Sequence, residues 1–303
     1  MVETGQKVKQ KAYPIAVKTV VKHFGYSRSS YYKACRAQRQ NEEHNEVVLR
    51  LVRNERKVQS QLGVDKIYHL IKPKLEARGI KMGRDKLYDL LRDNGLLLKK
   101  RKRKGPRTTD SRHEYKRYGN LIKDKEITRP NQVWVCDITY LRVSSSWMYL
   151  CLVMDAYSRK IVGWCLHDTL EMIGCRRALK MALGSLPAGF DHKKLIHHSD
   201  HGIQYCCKAY RGILLNKGIK ISMAAVGDCY ENAQAERLNG IMKQEYSLGN
   251  WLPNKTKARL ATRQGIELYN TRRPHRSLSM AFPAQVHAGK KVDVRMGWAK
   301  KRV

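Results

Sequence analysis

The amino-acid sequence predicts an α/β protein with a mixed five-stranded sheet and flanking helices, preceded by helical regions. Three segments rich in β-branched and aromatic residues follow one another with short turns between them: 134–143, 148–155 and 160–166. Between residues 169 and 222, helical and strand-like segments alternate. Hairpin strands followed by alternating helices and strands are typical of a mixed sheet. Before the sheet, residues 14–98 carry apolar side chains at helical spacing.

The first helical pair, within residues 1–40, resembles a helix-turn-helix. Its first helix is indicated by apolar residues that share one helical face, namely Val17, Val20, Val21 and Phe24. Gly25 then allows a tight turn, and Ser27 is a suitable N-cap for the second helix. Arg28 opens that helix and is a candidate DNA contact. Any antiparallel helical pair can produce this pattern, so a purely structural role is the alternative.

A second pair is predicted in residues 41–98. Its two helical faces are marked by Ile67, Leu70, Ile71 and Leu75, and by Leu87, Leu90 and Leu91. We expect Pro73 to kink or shorten the first helix, and Gly79 and Gly95 to follow the two helix ends. A basic linker, residues 99–128, comes next and begins with six consecutive cations: Lys99, Lys100, Arg101, Lys102, Arg103 and Lys104. Such a block is a candidate phosphate-binding segment, or otherwise a solvated tether.

The central region, residues 129–250, continues after the three hairpin strands with a helix that we expect Thr169 to cap and that runs to about Ser185. A fourth strand at 194–200 and a helix at 206–217 follow. A short fifth strand at 219–222 and a helix from about Asn232 complete this region. The region beyond it, 251–303, is predicted to be basic and helical.

Composition excludes several classes of protein. The chain has 303 residues, 42% of them hydrophobic, so a packed core is expected. Its longest apolar run, Met148 to Met154, is far below the roughly 18 residues of a membrane span. The first residues lack the apolar stretch of a signal peptide, so a bacterial cytoplasmic, nucleoid-associated location is expected. The eight cysteines form no CxxC pair and are expected to be reduced.

Positive charge dominates the chain but is unevenly distributed. The formal net charge is +35, with +20 in residues 1–130, +4 in 131–250 and +11 in 251–303. Basic flanks around a nearly neutral middle predict that the flanks bind a polyanion while the middle needs its carboxylates.

Three acids stand out in the central region. Asp137 interrupts an apolar and aromatic strand, Asp200 closes the fourth strand, and Glu236 lies on the following helix. A strand carboxylate is costly to bury unless it is paired or binds a metal. Strand and helix acids can converge, and their oxygens suit Mg²⁺, two ions of which would support phosphodiester displacement. From spacing alone, other acids compete for these roles: Asp155, Asp168 and Asp228.

The helix that carries Glu236 has a polar stripe. Asn232, Glu236, Asn239 and Lys243 are separated by four, three and four positions, so they share one face. We expect Lys243 to bind a phosphate beside the metal site, and Asn232 to make a further DNA contact nearby. An ordinary solvated helix face is the alternative.

Five ordered motifs resemble those of insertion-sequence transposases of the IS-three family, whose core is similar to retroviral integrase. They are WVCDITY (134–140), DAYSRKIVGW (155–164), HHSDHGIQY (197–205), GDCYENAQAERLNGIMKQE (227–245) and YNTRRPHRSL (269–278). The resemblance covers about residues 60–285. Asp200 and Glu236 have 35 residues between them, the spacing of the family's acidic triad.

The resemblance implies an RNase-H-like fold in which Asp137, Asp200 and Glu236 bind two Mg²⁺ ions, with Mn²⁺ as a substitute. It implies a transposase that cleaves the 3′ ends of its element and transfers the freed ends to target DNA, through a circular intermediate and without a covalent protein–DNA bond. Double-stranded DNA, both element ends and target, is the expected partner, and a homo-oligomer of at least two copies is expected in the synaptic complex.

Two departures from the family qualify this expectation. Cys136 stands where threonine is frequent, and Glu231 where aspartate is common. The family's active enzyme is commonly a frameshift fusion with an upstream helix-turn-helix and leucine zipper, whereas the first leucine here is Leu49. The chain is therefore expected to be a second-frame product with an upstream-frame partner, or a variant that recognises ends through residues 14–37.

The C-terminal motif supplies a further basic cluster, for which we expect contact with the DNA backbone through Arg272, Arg273 and Arg276. His198 and His201 beside Asp200 are expected either to position DNA or to pack at the strand end. Two other functions remain open at this point. The basic flanks alone would suit a non-catalytic DNA-binding regulator of the element, and the triad alone would suit a nuclease that cuts without joining.

Overall fold

The computed structural model describes residues 17–99, 115–224 and 232–293, and the chain divides into two compact units at Arg53–Asn54. The predicted segment Lys100 to Lys104 lies outside the described residues. In the described ranges, no helix has the length and apolar character that crossing a bilayer requires.

As predicted, the first part of the described chain is helical and the second part contains the sheet. The helices are α1 (Val17–His23), α2 (Arg28–Val58), α3 (Val64–Glu76), α4 (Arg84–Asp93), α5 (Met172–Gly184), α6 (Ile203–Cys206), α7 (Lys208–Asn216), α8 (Ala233–Glu245), α9 (Lys255–Arg272) and α10 (Pro283–His287). The strands are β1 (Val133–Val143), β2 (Ser146–Asp155), β3 (Ile161–His167), β4 (Ile196–Ser199) and β5 (Lys220–Met223).

The first unit contains α1 and the greater part of α2. Ser27 caps α2 as predicted, because its hydroxyl oxygen accepts from the Ser30 N–H at 3.0 Å. The prediction that Phe24 belongs to the apolar face of the first helix is wrong, because Phe24 follows the end of α1 and is 68% exposed. The segment from Arg28 to Val58 contains no glycine or proline, so α2 continues without a break. The boundary that we predict between residues 40 and 41 therefore falls inside a helix.

In the second unit, α3 and α4 form the predicted second helical pair. Their buried faces consist of Ile67, Ile71, Leu75, Leu87 and Leu91. Pro73 lies inside α3, which ends three residues later. Gly79 and Gly95 follow the two helix ends with φ of 66° and 64°, a left-handed conformation that glycine adopts without steric cost.

The sheet is mixed and has the order β3-β2-β1-β4-β5 within the described residues. β1 pairs antiparallel with β2, and β2 with β3, as consecutive hairpin strands do. β4 joins the other side of β1 in parallel, and β5 continues in parallel beside β4. The central β1 therefore separates an antiparallel half from a parallel half. This architecture confirms the predicted RNase-H-like fold.

Helices cover both faces of the sheet because β1 is apolar on both. Val133 and Val135 point to one core, which α8 and α9 close. Trp134 and Cys136 point to a second core, closed by α5, α6 and α7. The alternation of successive side chains across a strand produces these two layers. As the next residue in the alternation, Asp137 belongs to the face that α8 covers.

Two helix boundaries differ from the prediction. The N-cap of α5 is Glu171, and the Thr169 hydroxyl instead bonds the Nδ1 atom of His167 at 3.1 Å. The helix expected at 206–217 is α7, and a short helix that was not predicted, α6, precedes it. Cys207 separates them with an extended backbone (φ −65°, ψ 147°), which ends the first helix and begins the second.

Close packing of β3 on α5 depends on Gly163. A Cβ atom there would meet the Cβ atom and backbone nitrogen of Ala182 at 2.8 Å. We expect Gly163→Ala to lower the free energy of unfolding by about 1–3 kcal/mol or more through overpacking, as measured by urea unfolding. The matched control is Gly212→Ala in α7, where a Cβ meets nothing within 4 Å, and which should add about 0.5–1 kcal/mol. Equal effects of both substitutions would contradict this packing.

Candidate active site

The parallel register of β1 and β4 brings two of the three predicted acids side by side. Val135 is opposite His198 in this pairing. Two residues further along each strand, the same register puts Asp137 opposite Asp200, which directly follows β4. Neighbouring strands are about 4.8 Å apart, and residues at equal register point to the same face. The two carboxylates therefore share one edge of the α8-covered face.

The helix α8 holds the third acid above this edge. Four apolar residues anchor α8 in the core: Ala235, Leu238, Ile241 and Met242. Its polar stripe faces β1, where Asn232 Nδ2 donates to the Cys136 carbonyl at 3.3 Å and Asn239 Nδ2 donates to Asp137 Oδ2 at 2.8 Å. Glu236 lies between these two contacts on the same stripe and is exposed. The structure thus places Asp137 and Asp200 at one edge of the sheet, and Glu236 on the stripe of α8 that faces β1.

The pKa of Asp137 reflects the negative charges of the two other acids. Burial, and after it the negative charge of Asp200, raise the pKa of Asp137 to about 8, and the charge of Glu236 adds a smaller increase. Hydrogen bonds from the Ile138 N–H and from Asn239 oppose the increase. For Lys243, burial lowers the pKa while attraction to Asp137 opposes the decrease, so its ammonium faces the same site. Negative charge is therefore concentrated beside Lys243, which partly balances it.

The carboxylate oxygens are partly held by neutral donors. Asp137 Oδ1 accepts from the Ile138 N–H at 2.8 Å, and Asp200 Oδ1 accepts from the Gly202 N–H at 3.0 Å. In the part of the chain that the structure describes, no three carboxylate, imidazole or thiol groups stand close enough together to ligate a metal. The donors themselves are all hard oxygens, the type that Mg²⁺ and Mn²⁺ prefer.

The histidines beside Asp200 lie in the core. His197 Nε2 bonds the Tyr210 hydroxyl at 2.8 Å, and burial lowers the pKa of His197 to about 3, so it stays neutral. His198 is fully buried and its Nδ1 bonds the Ser222 hydroxyl at 2.9 Å, which links β4 to β5. Of the two expectations for His198, strand-end packing is the one that agrees with this burial.

The competing acids have other roles. Asp155 is fully buried, and its carboxylate accepts from the N–H groups of Asn131 and Ser158 at 2.7 Å each. Asp168 is at the surface and forms ion pairs with Lys255 and Arg259, both at 3.2 Å. Asp228 lies outside the described residues. Neither described competitor belongs to the acidic site.

Some of the residues that we predict to contact DNA are exposed, and others are buried. Arg28 and Lys99 are exposed, and Lys243 is half-buried at the acidic site. Asn232 is buried and its amide supports the β1 backbone, so the predicted DNA contact of Asn232 is corrected to a structural role. Asn239 belongs to the polar stripe predicted on α8, but the sequence alone does not identify it as the partner of Asp137. Its spacing of three residues from Glu236 was the available signal.

The C-terminal arginines are mainly engaged in ion pairs. Arg273 is 3% exposed, and its guanidinium donates to both oxygens of Glu245 at 2.7 and 2.8 Å. Its predicted DNA contact is therefore wrong, because the group is buried and paired. Arg272 pairs with the buried Glu55 at 3.2 Å, and the exposed Arg276 pairs with Asp65. These contacts tie the C-terminal motif to the helical region of the second unit.

Comparison with known proteins agrees with this architecture. Models of the integrase core domain match residues 127–229 and 217–283. An uncharacterized 31 kDa protein of insertion element IS600 from Shigella sonnei is 37% identical over 270 residues, which cover 86% of this chain and 94% of that protein. Transposase InsF of insertion sequence IS3A from Escherichia coli K12 is 35% identical over 156 residues, which cover 51% of this chain and 53% of that protein.

Among solved structures, the magnesium complex of the HTLV-2 integrase catalytic core domain aligns with a TM-score of 0.42 and 19% identity, covering 52% of this chain and 97% of that domain. Fold, site and family models together define an integrase-core protein. The chain belongs to the IS-three family of insertion-sequence transposases.

The raised pKa of Asp137 makes stability depend on pH. The folded chain binds this proton more tightly than the unfolded chain, so the stability that the proton contributes is complete below about pH 4 and is lost as the pH rises through about 8. In chelator-treated buffer, Asp137→Asn should gain stability relative to the natural chain as the pH rises across this range, as measured by urea unfolding. The Asn239 Oδ1 atom is buried without a described partner and can accept from the new amide.

Glu267→Gln, at an exposed position on α9, is the control for this experiment and should show no such trend. A pH-independent difference between Asp137→Asn and the natural chain would show that the folded-state pKa of Asp137 is not raised.

Because the Arg273–Glu245 pair is buried and Arg276 is exposed, we expect substitution of Arg273 to lower the free energy of unfolding much more than substitution of Arg276. Arg273→Gln leaves the Glu245 carboxylate with one fewer partner and should cost about 3–5 kcal/mol of unfolding free energy. Arg276→Gln, which removes a 73% exposed side chain, should cost less than about 1 kcal/mol. Thermal or urea unfolding measures both. Similar small costs would reinstate Arg273 as an available surface cation.

Proposed function

We propose that this chain is a DNA transposase that binds the ends of an insertion sequence and catalyses metal-dependent 3′-end cleavage and strand transfer. The observation that supports this proposal is that the charges of Asp200, which directly follows β4, and of Glu236 on α8 both raise the pKa of Asp137 on the neighbouring strand β1. Membership of the transposase family supports the same activity.

Asp137, Asp200 and Glu236 are the residues that would hold divalent ions, and the all-oxygen donor set fits Mg²⁺. Two bound ions would supply activation of the attacking oxygen and charge stabilisation of the leaving oxygen. The amide of Asn239 orients Asp137 through a 2.8 Å hydrogen bond. Lys243 places a cation on the same helix face, where it would attract the phosphate that reacts.

Basic charge outside the core supports DNA as the substrate. The chain carries 61 Lys and Arg against 26 Asp and Glu, and most of the excess lies outside the core that holds the acids. Cations of this density bind phosphates with little dependence on sequence. Action on two element ends would require at least two copies of the chain, and an upstream-frame partner stays a prediction.

The proposal predicts that each acid is indispensable for cleavage but not for binding. Asp137→Asn, Asp200→Asn and Glu236→Gln should each lower cleavage of a labelled duplex made from the DNA that flanks the coding region by at least about 1,000-fold, because each removes a carboxylate ligand. Binding of the same duplex should persist. Gel assays of cleaved and joined 3′ ends, with Mg²⁺ or Mn²⁺, measure the first effect.

Asp168→Asn is the matched control, since Asp168 is an acid of the same core whose partners are surface cations. It should cleave like the natural chain. Full cleavage by any of the three triad variants would remove that residue from the site. Binding without any metal-dependent nicking by the natural chain would favour a regulator, and cutting without joined products would favour a nuclease.

A further inference from the structure

A cation-rich pocket of about 690 Å³ lies against the face of α8 that carries Arg237 and Ile241, and it is not used by the proposed chemistry. It is formed where the helical pair α3–α4 meets the catalytic helix α8 and the C-terminal motif. Residues from all of these parts line it, including Lys66, Arg84, Tyr88, Arg237 and Arg276. The whole pocket lies within the second compact unit.

The lining of the pocket carries more positive than negative charge. Five basic side chains, Lys66, Arg84, Arg237, Arg273 and Arg276, line it against two acidic ones, Asp65 and Asp85. Glu245 bonds both Lys66, at 2.7 Å, and Arg273, so one carboxylate serves two cations. An anion in the pocket would offset the remaining excess.

The pKa values of Lys66 and His275 agree with this excess of positive charge in the pocket. Burial lowers the pKa of Lys66 to about 8, and the positive charges of Arg273 and Arg237 contribute to the decrease against the attraction of Glu245. Burial likewise lowers the pKa of His275 to about 2, with Arg273 the largest of four cationic contributions. Cations therefore gather here at an electrostatic cost that the protein's own carboxylates only partly offset.

Arg237 connects this pocket to the site of chemistry. It is exposed and directly follows Glu236 on α8, so the two side chains point about 100° apart around one helix. No carboxylate within the described ranges forms an ion pair with Arg237. Arg84 lies across the pocket at the start of α4, where it pairs with Asp85 at 2.9 Å and would exchange this pair for a phosphate. The helix dipole at this end of α4 also favours an anion.

We propose that this pocket binds the phosphodiester backbone of the substrate DNA, so that α3–α4 and α8 together clamp DNA on the face of α8 next to the one that carries Glu236. The inference rests on the proposed function and specifies which surface aligns the substrate. Arg84 and Arg237 contact phosphate from opposite sides of the pocket. Arg276 can join them when it exchanges its ion pair with Asp65 for a phosphate.

The test uses the full chain in the Asp137→Asn background, so that it does not depend on cleavage. We compare Arg84→Gln and Arg237→Gln with Arg92→Gln, an exposed arginine of α4 that pairs with Asp89 and is not part of the pocket lining. The probe is a duplex of about 30 base pairs of arbitrary sequence, since phosphate contacts carry no sequence information. Each pocket variant should weaken binding roughly tenfold and reduce the slope of log K against log salt by about 0.9.

A second readout locates the contact. DNA should protect Arg84 and Arg237 from modification by phenylglyoxal, as measured by peptide mass spectrometry, and leave Arg92 reactive. Unchanged affinity and slope in both pocket variants, with no protection, would overturn the proposal even if the acids prove catalytic. Protection by inorganic pyrophosphate but not by the duplex would assign the pocket to a free polyphosphate. Stronger protection by duplex RNA of equal length would overturn the assignment to DNA.

Discussion

The parallel pairing of β1 with β4 is the constraint on which the rest of the structure depends. It fixes Asp137 opposite Asp200, and a shift of one residue would turn one of the two carboxylates to the opposite face. The apolar side chains that alternate along β1 set this register, because both cores must be filled at once. Packing of the sheet and positioning of the acids are therefore one event.

The same constraint concentrates like charge, and the surrounding structure compensates for it. Asn239 and the Ile138 N–H donate to Asp137, and the Gly202 N–H donates to Asp200. On the far side of α8, Glu245 binds Lys66 and Arg273. α8 thus has a face of excess negative charge and a face of excess positive charge. This polarity suits a helix between metal ions and a DNA backbone.

Patterns within single segments predicted much of this structure. Segments rich in β-branched and aromatic residues predict the three hairpin strands, and the spacing of Glu236, Asn239 and Lys243 puts them on one helix face. Partners distant along the chain were not predictable in this way. The positive charge of Arg273 suggested DNA contact, but its burial depends on Glu245, 28 residues earlier, and no local pattern announces that pair.

Metal binding tests most directly whether the strand register and α8 assemble one carboxylate site. Titration of the purified chain with Mn²⁺, followed by electron paramagnetic resonance, counts bound ions without requiring DNA or turnover. We expect saturable Mn²⁺ binding that weakens about tenfold or more in Asp200→Asn and is unchanged in Asp168→Asn. Equal Mn²⁺ affinity in the natural chain and both variants would contradict it.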